Sequence, residues 1–421
     1  MRSGPVVTVE NGCPYGRAGG LLTVDPCQDY LALASAEPVS RNDDLGVWIV
    51  TGFAEVTRLL GHPALSSAWP EQGRTQLHDG DTEGARTADP VRRWFMFADE
   101  PRHRALRNII GPLFTARRVA EFQPYVEAVV DELLDGVTDR LDVVTDLAVP
   151  LSSRVICRLL GLPPQTAPRL PGWALDIAAL LVADYLPDVV RRGTTALAEI
   201  TAVVRAALAG AGPADGTALA VLRRAQTAGQ IDELDVAATA SLLVFAGFET
   251  TATFLCKAVR TLLHTGQWAA LTPAAVPAAV EELLRFDTSV QQVARLTVAP
   301  VEVAGHRIPK GELVLLMLGV ANRDPEAFAR PNLLDLSRPP ARHLGFGHSA
   351  HYCLGAGLAR LEVGTALRQL KVRWGEVELA AAPVLRPHHG VTSFEHLELR
   401  LHAGVASGTG AARRTNGSES T

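Results

Sequence analysis

The sequence predicts a mainly α protein, one large helical domain with a small β-sheet region. Three observations carry that expectation. The chain has 421 residues, 47% of them hydrophobic and 20% charged, with alanine and leucine dominant, which is the balance of a globular protein and favours helix. Apolar residues return at three- and four-residue spacing through 126–141, 150–162, 196–209 and 234–263, the period of helices that bury one face. Strand-like runs are few and short.

In chain order, Val47 to Val50 reads as a strand. Residues 65–91 break the helical period with Pro70, Gly73, Asp79, Gly80, Asp81 and Gly84, so a long surface loop is expected there. A helix opens within 99–107. Residues 301–303 and 313–316 flank Gly305 and the turn Pro309, Lys310, Gly311, which predicts a hairpin between those two strands. Residues 356–370 read as a further helix. No internal repeat or linker interrupts 20–402, so a single domain is expected there, between a flexible segment 1–19 and a disordered, Gly- and Ser-rich tail 403–421.

Bulk charge excludes some partners. A net charge of -5 gives no basic field for nucleic acid. Residues 1–20 hold no apolar stretch long enough for a signal peptide or anchor, so no membrane association is expected. Cys13, Cys27, Cys157, Cys256 and Cys353 lack the paired spacing of zinc sites or disulfide scaffolds, which suits a reduced, cytoplasmic setting.

The richest segment runs from Leu344 through Gly345, Phe346, Gly347, His348, Ser349, Ala350, His351, Tyr352, Cys353 and Leu354 to Gly355. Cys353 stands where a helix begins, and free backbone N–H groups there favour a thiolate, lower the thiol pKa and make the sulfur a metal ligand. Gly345, Gly347 and Gly355 let backbone pass close to a flat cofactor. A lone Cys before a helix is usually an inert buried thiol. Its company alters that balance. The spacing of Phe346, Gly347, His351, Cys353 and Gly355 resembles the haem-binding loop of the cytochrome P450 family, with Ser349 standing where the family usually has Gly.

The resemblance implies the cytochrome P450 fold and haem b held through Cys353 as the axial thiolate and metal ligand. Glu282, Leu283, Leu284 and Arg285 resemble the family's Glu-x-x-Arg helix, and Arg338 matches the third member of that structural triad. A solvated helix pair would explain Glu282 and Arg285 alone. His103, Arg107, Arg295 and His351 occupy positions where the family contacts the haem propionates, and His103 and Arg107, four apart on a helix, can face the same carboxylates.

Within 234–263 lies Phe245, Ala246, Gly247, Phe248, Glu249, Thr250, which resembles the family's oxygen-binding Ala-Gly-x-Glu-Thr motif. Ala246 and Thr250 share one face, and Gly247 is expected to let the helix bend open. The resemblance gives Thr250 a role beside bound oxygen and Glu249 the supply of protons. The ordinary alternatives are a Thr bonded back to a helix carbonyl and a paired Glu, but a carboxylate in so apolar a run costs several kcal/mol unless it is neutral or paired.

No Gly-x-Gly-x-x-Gly loop follows a strand and no phosphate-binding loop is found, so neither nicotinamide nor flavin is expected to bind this chain. By resemblance, electrons come from a ferredoxin and its reductase to a monomeric, bacterial enzyme. Arg104, Arg117 and Arg118 are a candidate docking patch, with a plain solvated face the equal alternative. Substrate contacts carried over by position are Trp69, Phe97, Leu180, Leu242, Leu243, Val290, Gln291, Val293 and Phe394, a mostly apolar set suited to a small organic molecule of secondary metabolism. The expected reaction is monooxygenation, as hydroxylation or epoxidation with O2. Oxidative coupling, cyclisation or desaturation by the same haem is the second reading, and a haem-binding scaffold without turnover the third.

Overall fold

The structure, a computed structural model, describes residues 37–43, 46–68, 89–182, 186–210, 212–386 and 393–402. The expected end segments 1–19 and 403–421, and Trp69, lie outside them. Helices α1 (Phe53–Leu60), α2 (Asp89–Arg92), α3 (Arg102–Ile110), α4 (Ala116–Leu134), α5 (Val149–Leu160) and α6 (Leu170–Val182) form the first half. The second half adds α7 (Pro187–Ala209), α8 (Ala218–Thr227), α9 (Glu233–His264), α10 (Val276–Phe286), α11 (Leu318–Ala321) and α12 (Ala356–Arg373). The apolar periods at 196–209 and 234–263 and the helix expected at 356–370 fall on helices, and the period at 150–162 does so as far as Leu160, where Gly161 (φ 81°) stops the helix. The period at 126–141 does so only as far as Leu134, because Asp135 is extended and Gly136 adopts φ 74°, a left-handed stop that only glycine takes freely.

Helix α9 is the axis of the molecule. Asp232 caps it by accepting from Asp235 N, and the Asp235 side chain accepts from Asp232 N in return, so two of the unpaired N–H groups are satisfied together. Arg93 and Arg102 reach Asp235 at 3.1 and 2.5 Å and tie the preceding segment to this cap. The helix is apolar around most of its circumference because α5, α6, α7 and α12 pack against it. It is long and apolar enough to cross a membrane, yet 78% of its most apolar window is buried inside the protein, so it is a core helix.

Strands β1 (Val39–Asn42), β2 (Val47–Val50), β3 (Leu65–Ser66), β4 (Arg140–Asp142), β5 (Val293–Thr297), β6 (Val301–Val303), β7 (His306–Ile308) and β8 (Leu313–Leu316) precede β9 (Glu376–Leu379), β10 (Val384–Arg386), β11 (Ser393–His396) and β12 (Glu398–His402). The largest sheet has the order β1-β2-β8-β5-β3, with β2 and β8 parallel and the other pairs antiparallel. Here the expected hairpin is corrected. β6 turns back on β7 through Ala304 (φ 46°) and Gly305 (φ 79°), while β8 joins β2 and β5 in the large sheet. His306 and Arg307 hide β7 in the sequence, since only Ile308 of the three is apolar; it pairs with Val301 and both enter a core shared with β1 and β2. The expected loop 65–91 likewise begins with β3 and ends in α2.

Candidate active site

Cys353 lies three residues before α12, in a loop closed by its own N–H donating to Phe346 O at 2.8 Å and by Gly347 N donating to Leu344 O at 2.8 Å. Gly347 has φ 70°, so this turn needs glycine. Gly345 serves the protein rather than a cofactor, since a Cβ there would meet Leu284 O of α10 at 2.9 Å. Around Gly355, by contrast, a Cβ would meet nothing within 4 Å, which leaves open space next to the sulfur. Ser349 holds φ 61°, and its side chain lies over Gly61, where a Cβ would approach Ser349 Oγ to 2.8 Å. A glycine at 61 thus gives room to the serine at 349.

The sulfur is reachable from solvent, but protein surrounds it closely enough that burial pushes its pKa up. The Gly355 N–H and the charges of Arg107 and Arg360 pull the other way without prevailing. The expected lowering by the helix start is present, through the N–H of the cap residue Gly355, but without a bound metal it does not outweigh burial. Cys353 also lines a cleft of about 550 Å³ between the starts of α4 and α12, together with Arg107, Val119, Tyr352 and Arg360.

The four expected carboxylate donors are gathered on one side of this loop. The rings of His103 and His351 are 4.1 Å apart, and His351 Nε2 is 3.2 Å from Ser67 Oγ. Burial, and then the charges of Arg295, His103 and Arg107, push His351 down to about 3. Arg295 is only 8% exposed, is lowered to about 10 by burial, and forms no ion pair with a carboxylate among the described residues. His103 Nε2 is buried without a hydrogen-bond partner among them, and Arg107 donates to the carbonyl of Tyr352 at 2.6 Å. Arg295 has the attraction of Asp99 and one bond to Ala294 O, which leaves most of its donors, and His103 Nε2, open to acceptors that a ligand could supply. The donor set fits a molecule with two carboxylates, as haem has.

On α9, Ala246 is exposed and Gly247 and Thr250 are half-buried in a helix whose neighbouring residues are buried, so this face borders a cavity. Thr250 Oγ1 donates to Ala246 O at 2.7 Å, and Ser289 Oγ donates to Thr250 O at 2.8 Å. Burial raises Glu249 to about 7, against a weaker pull from Arg386 on β10. The helix is continuous from Glu233 to His264 through this point. Gly247 admits α5, because a Cβ would meet Ile156 Cδ1 at 2.3 Å.

Glu282, Arg285 and Arg338 meet as expected. Arg285 Nε and Nη2 each donate to Glu282 at 2.8 Å, and Arg338 Nε reaches the same carboxylate at 3.1 Å. Arg285 also donates to the carbonyls of Asn322 and Pro331, anchoring the segment that leads to the Cys353 loop. Sequence reasoning missed a second clasp beside it. Arg360 of α12 makes a two-pronged pair with Glu281 at 2.6 and 2.8 Å, and His343 Nε2 is 3.1 Å from the same carboxylate. Burial alone would raise Glu281, but Arg360 and His343 outweigh it and bring it to about 2. Spacings of 62 and 79 residues left no local signal.

The substrate candidates are scattered across elements. Phe97 stacks on Trp94 at 6.1 Å, and Trp94 in turn stacks on Phe245 at 5.3 Å and donates to Ser241 Oγ, so two aromatics absent from the expected set join Phe97 to α9. Leu242, Leu243 and Phe394 are buried in the main core, and Val290 and Val293 pack on the core of the large sheet. Gln291 is buried and donates to Thr288 O at 2.6 Å. Leu180 packs on Gly193 of α7, where a Cβ would meet it at 2.6 Å, so its side chain fills a helix contact. Arg104, Arg117 and Arg118 pair with Glu100 and Glu121, which spends much of the expected basic patch on neighbouring carboxylates.

The family profile described as Cytochrome P450 matches residues 275–370, which contain the triad's helix and the Cys353 loop. The 20-oxo-5-O-mycaminosyltylactone 23-monooxygenase of Streptomyces fradiae is 34% identical over 418 residues, covering 94% of this chain and 89% of that protein. Cyclomarin C epoxidase CymV of Salinispora arenicola is 35% identical over 358 residues, covering 82% and 88%. The crystal structure of CalO2 superposes with a TM-score of 0.83 at 30% identity, covering 90% of this chain and 96% of that one. Identity sustained across nearly the whole length, on the same fold, leaves one conclusion: the chain belongs to the cytochrome P450 family, as an oxygen-using monooxygenase.

Proposed function

We propose that this enzyme inserts one oxygen atom from O2 into a small, largely apolar molecule of bacterial secondary metabolism, with Cys353 as the thiolate ligand of haem b. The observation that carries the reading is that, among the described residues, His103 Nε2 is buried without a hydrogen-bond partner and Arg295 is buried without an ion-paired carboxylate, beside Arg107, His351 and the Cys353 loop. Haem bound there supplies the oxidation, with thiolate donation favouring O–O cleavage. The chain's own residues bind, orient and manage protons. Arg107, Arg295, His103 and His351 would hold the two carboxylates, and the open space at Gly355 would admit the flat ring. With its single proton on Ala246 O, Thr250 Oγ1 presents lone pairs to the cavity, and turning that O–H outward makes it a donor. Glu249, at about 7, can release and regain a proton at neutral pH.

Electrons come, in this reading, from a ferredoxin and its reductase, to a monomer working in the cytoplasm without a nicotinamide or flavin of its own. The cleft that Cys353 lines, bordered by Arg107 and Arg360, offers such a donor an approach to the sulfur. The Streptomyces fradiae relative named as a monooxygenase and the Salinispora arenicola epoxidase support insertion of oxygen as the outcome. Mass spectrometry of metabolites that accumulate when the gene is deleted identifies the substrate, and turnover of it decides the reaction. Gain of one oxygen is expected. Loss of two hydrogens without that gain would overturn oxygen insertion in favour of desaturation or coupling.

A further inference from the structure

The Glu281–Arg360–His343 cluster lies outside the triad and outside every residue assigned above to haem, oxygen or substrate. We propose that the Glu281–Arg360 ion pair sets the reduction potential of the thiolate-held centre, with His343 and Phe346 as positioning residues; this rests on Cys353 being the ligand. Arg360 stands between the carboxylate and the loop. Its guanidinium is paired with Glu281 on one side, and on the other it lies 4.5 Å from the Phe346 ring centre and 3.4 Å from Tyr352 Oη. Phe346 O receives the Cys353 N–H, so the ring that Arg360 covers belongs to the residue that fixes the sulfur's backbone. Among the described residues, Glu281 meets the loop farther back, at His343. The positive end of the pair therefore faces the sulfur and the negative end faces away from it.

His343 fixes this order. Gly345 N donates to His343 Nδ1 at 3.0 Å, and a backbone amide can only donate, so Nδ1 carries no proton. Nε2 then carries the hydrogen and donates it to Glu281 at 3.1 Å. The imidazole is neutral in this arrangement, and the cluster holds one cation and one anion at unequal distances from the sulfur. One-electron reduction adds negative charge to the centre, so a nearer cation favours the reduced state and an anion opposes it. Arg360 and Glu281 are 33% and 30% exposed, so solvent screens them in part, and the effect is read as a difference in sign between variants rather than as a large shift.

The two members of the pair must therefore act with opposite signs. In Glu281→Gln the cation loses its counter-charge, and the midpoint potential measured by spectroelectrochemical titration of the holoenzyme should rise. In Arg360→Met the carboxylate is left alone, and the potential should fall. Arg360→Lys keeps the charge and should stay near wild type, and the double variant Glu281→Gln, Arg360→Met should return toward it. A structural role alone would move both single variants the same way, by loosening one loop, and that result would overturn the proposal, as would unchanged potentials. If Arg360→Met fails to retain haem, Glu281→Gln and Arg360→Lys decide between the same outcomes. The ferrous carbonyl spectrum separates this test from the ligand assignment. A missing red-shifted Soret band in the wild type refutes the ligand, whereas the band present throughout with coincident potentials refutes the charge pair.

Discussion

Glu281 and Glu249 are both carboxyl groups largely withdrawn from water, and the molecule treats them in opposite ways. Glu281, behind the Cys353 loop, receives Arg360 and His343 and is brought to about 2 against the effect of burial. Glu249, on α9 beside Thr250, feels a pull from Arg386 that does not outweigh burial, and burial carries it to about 7. Where geometry must be held, charge is matched within hydrogen-bond distance and stays ionised; where a proton must move, a carboxyl is kept near the point of half-ionisation. The difference comes from which neighbours each helix presents, since the two groups are the same kind of residue with the same ordinary pKa.

The largest test of the fixed side is Arg285→Met, which leaves Glu282 with only Arg338 and the Asp335 N–H among the described residues and uncaps the carbonyls of Asn322 and Pro331. Denaturant titration should show a loss of about 3–5 kcal/mol, the usual cost of breaking a buried pair from one side. A smaller loss would mean that the triad is not what holds this region.

The poised side is tested by Glu249→Gln. Glu249 is raised in the folded state, so its contribution to stability is complete below its unfolded value of 4.5 and is lost as pH rises through about 7, on the order of 3 kcal/mol. Glu362, raised to about 8 by burial, acts with the same sign, so the difference between wild type and Glu249→Gln isolates the first group. Glu281 has the opposite sense: its contribution is present above 4.5 and is lost as pH falls through about 2. Product formation in Glu249→Gln should drop roughly 100-fold, the scale of a lost proton donor. A wild-type stability curve flat between pH 4.5 and 7 relative to the variant would break the comparison.

Thr250→Ala should retain haem while diverting reducing equivalents to peroxide, read as reductant consumed per product formed. Unchanged coupling would move the proton route away from α9. The smallest expected effect is Ser349→Gly, which relieves a left-handed non-glycine residue and should stabilise the holoprotein by about 1 kcal/mol. Destabilisation would show that the packing of Ser349 over Gly61 outweighs its backbone strain.

What the sequence made legible was local. The period of α9, the three-residue interval of Glu282 and Arg285, and the turn around Gly347 each lie within one element, and each is found where it was expected. Contacts between distant segments were out of reach. Glu281 sits beside Glu282 and reads as one more surface charge, and its role becomes visible only when α12 and the 343–346 strand of loop close over it. β7 was masked by two polar residues out of three, and the packing of Ile156 against Gly247 could not be read from sequence because the two are 91 residues apart. Trp94 escaped for the same reason, its partners Ser241 and Phe245 being far along the chain.

Both sides of this comparison are defined by the sulfur between them, so the most direct measurement is the ferrous carbonyl spectrum of purified Cys353→Ser beside wild type. The account predicts a red-shifted Soret band in the wild type and its loss in the variant. A band that survives the substitution would place another residue on the iron and contradict the assignment on which the site is built.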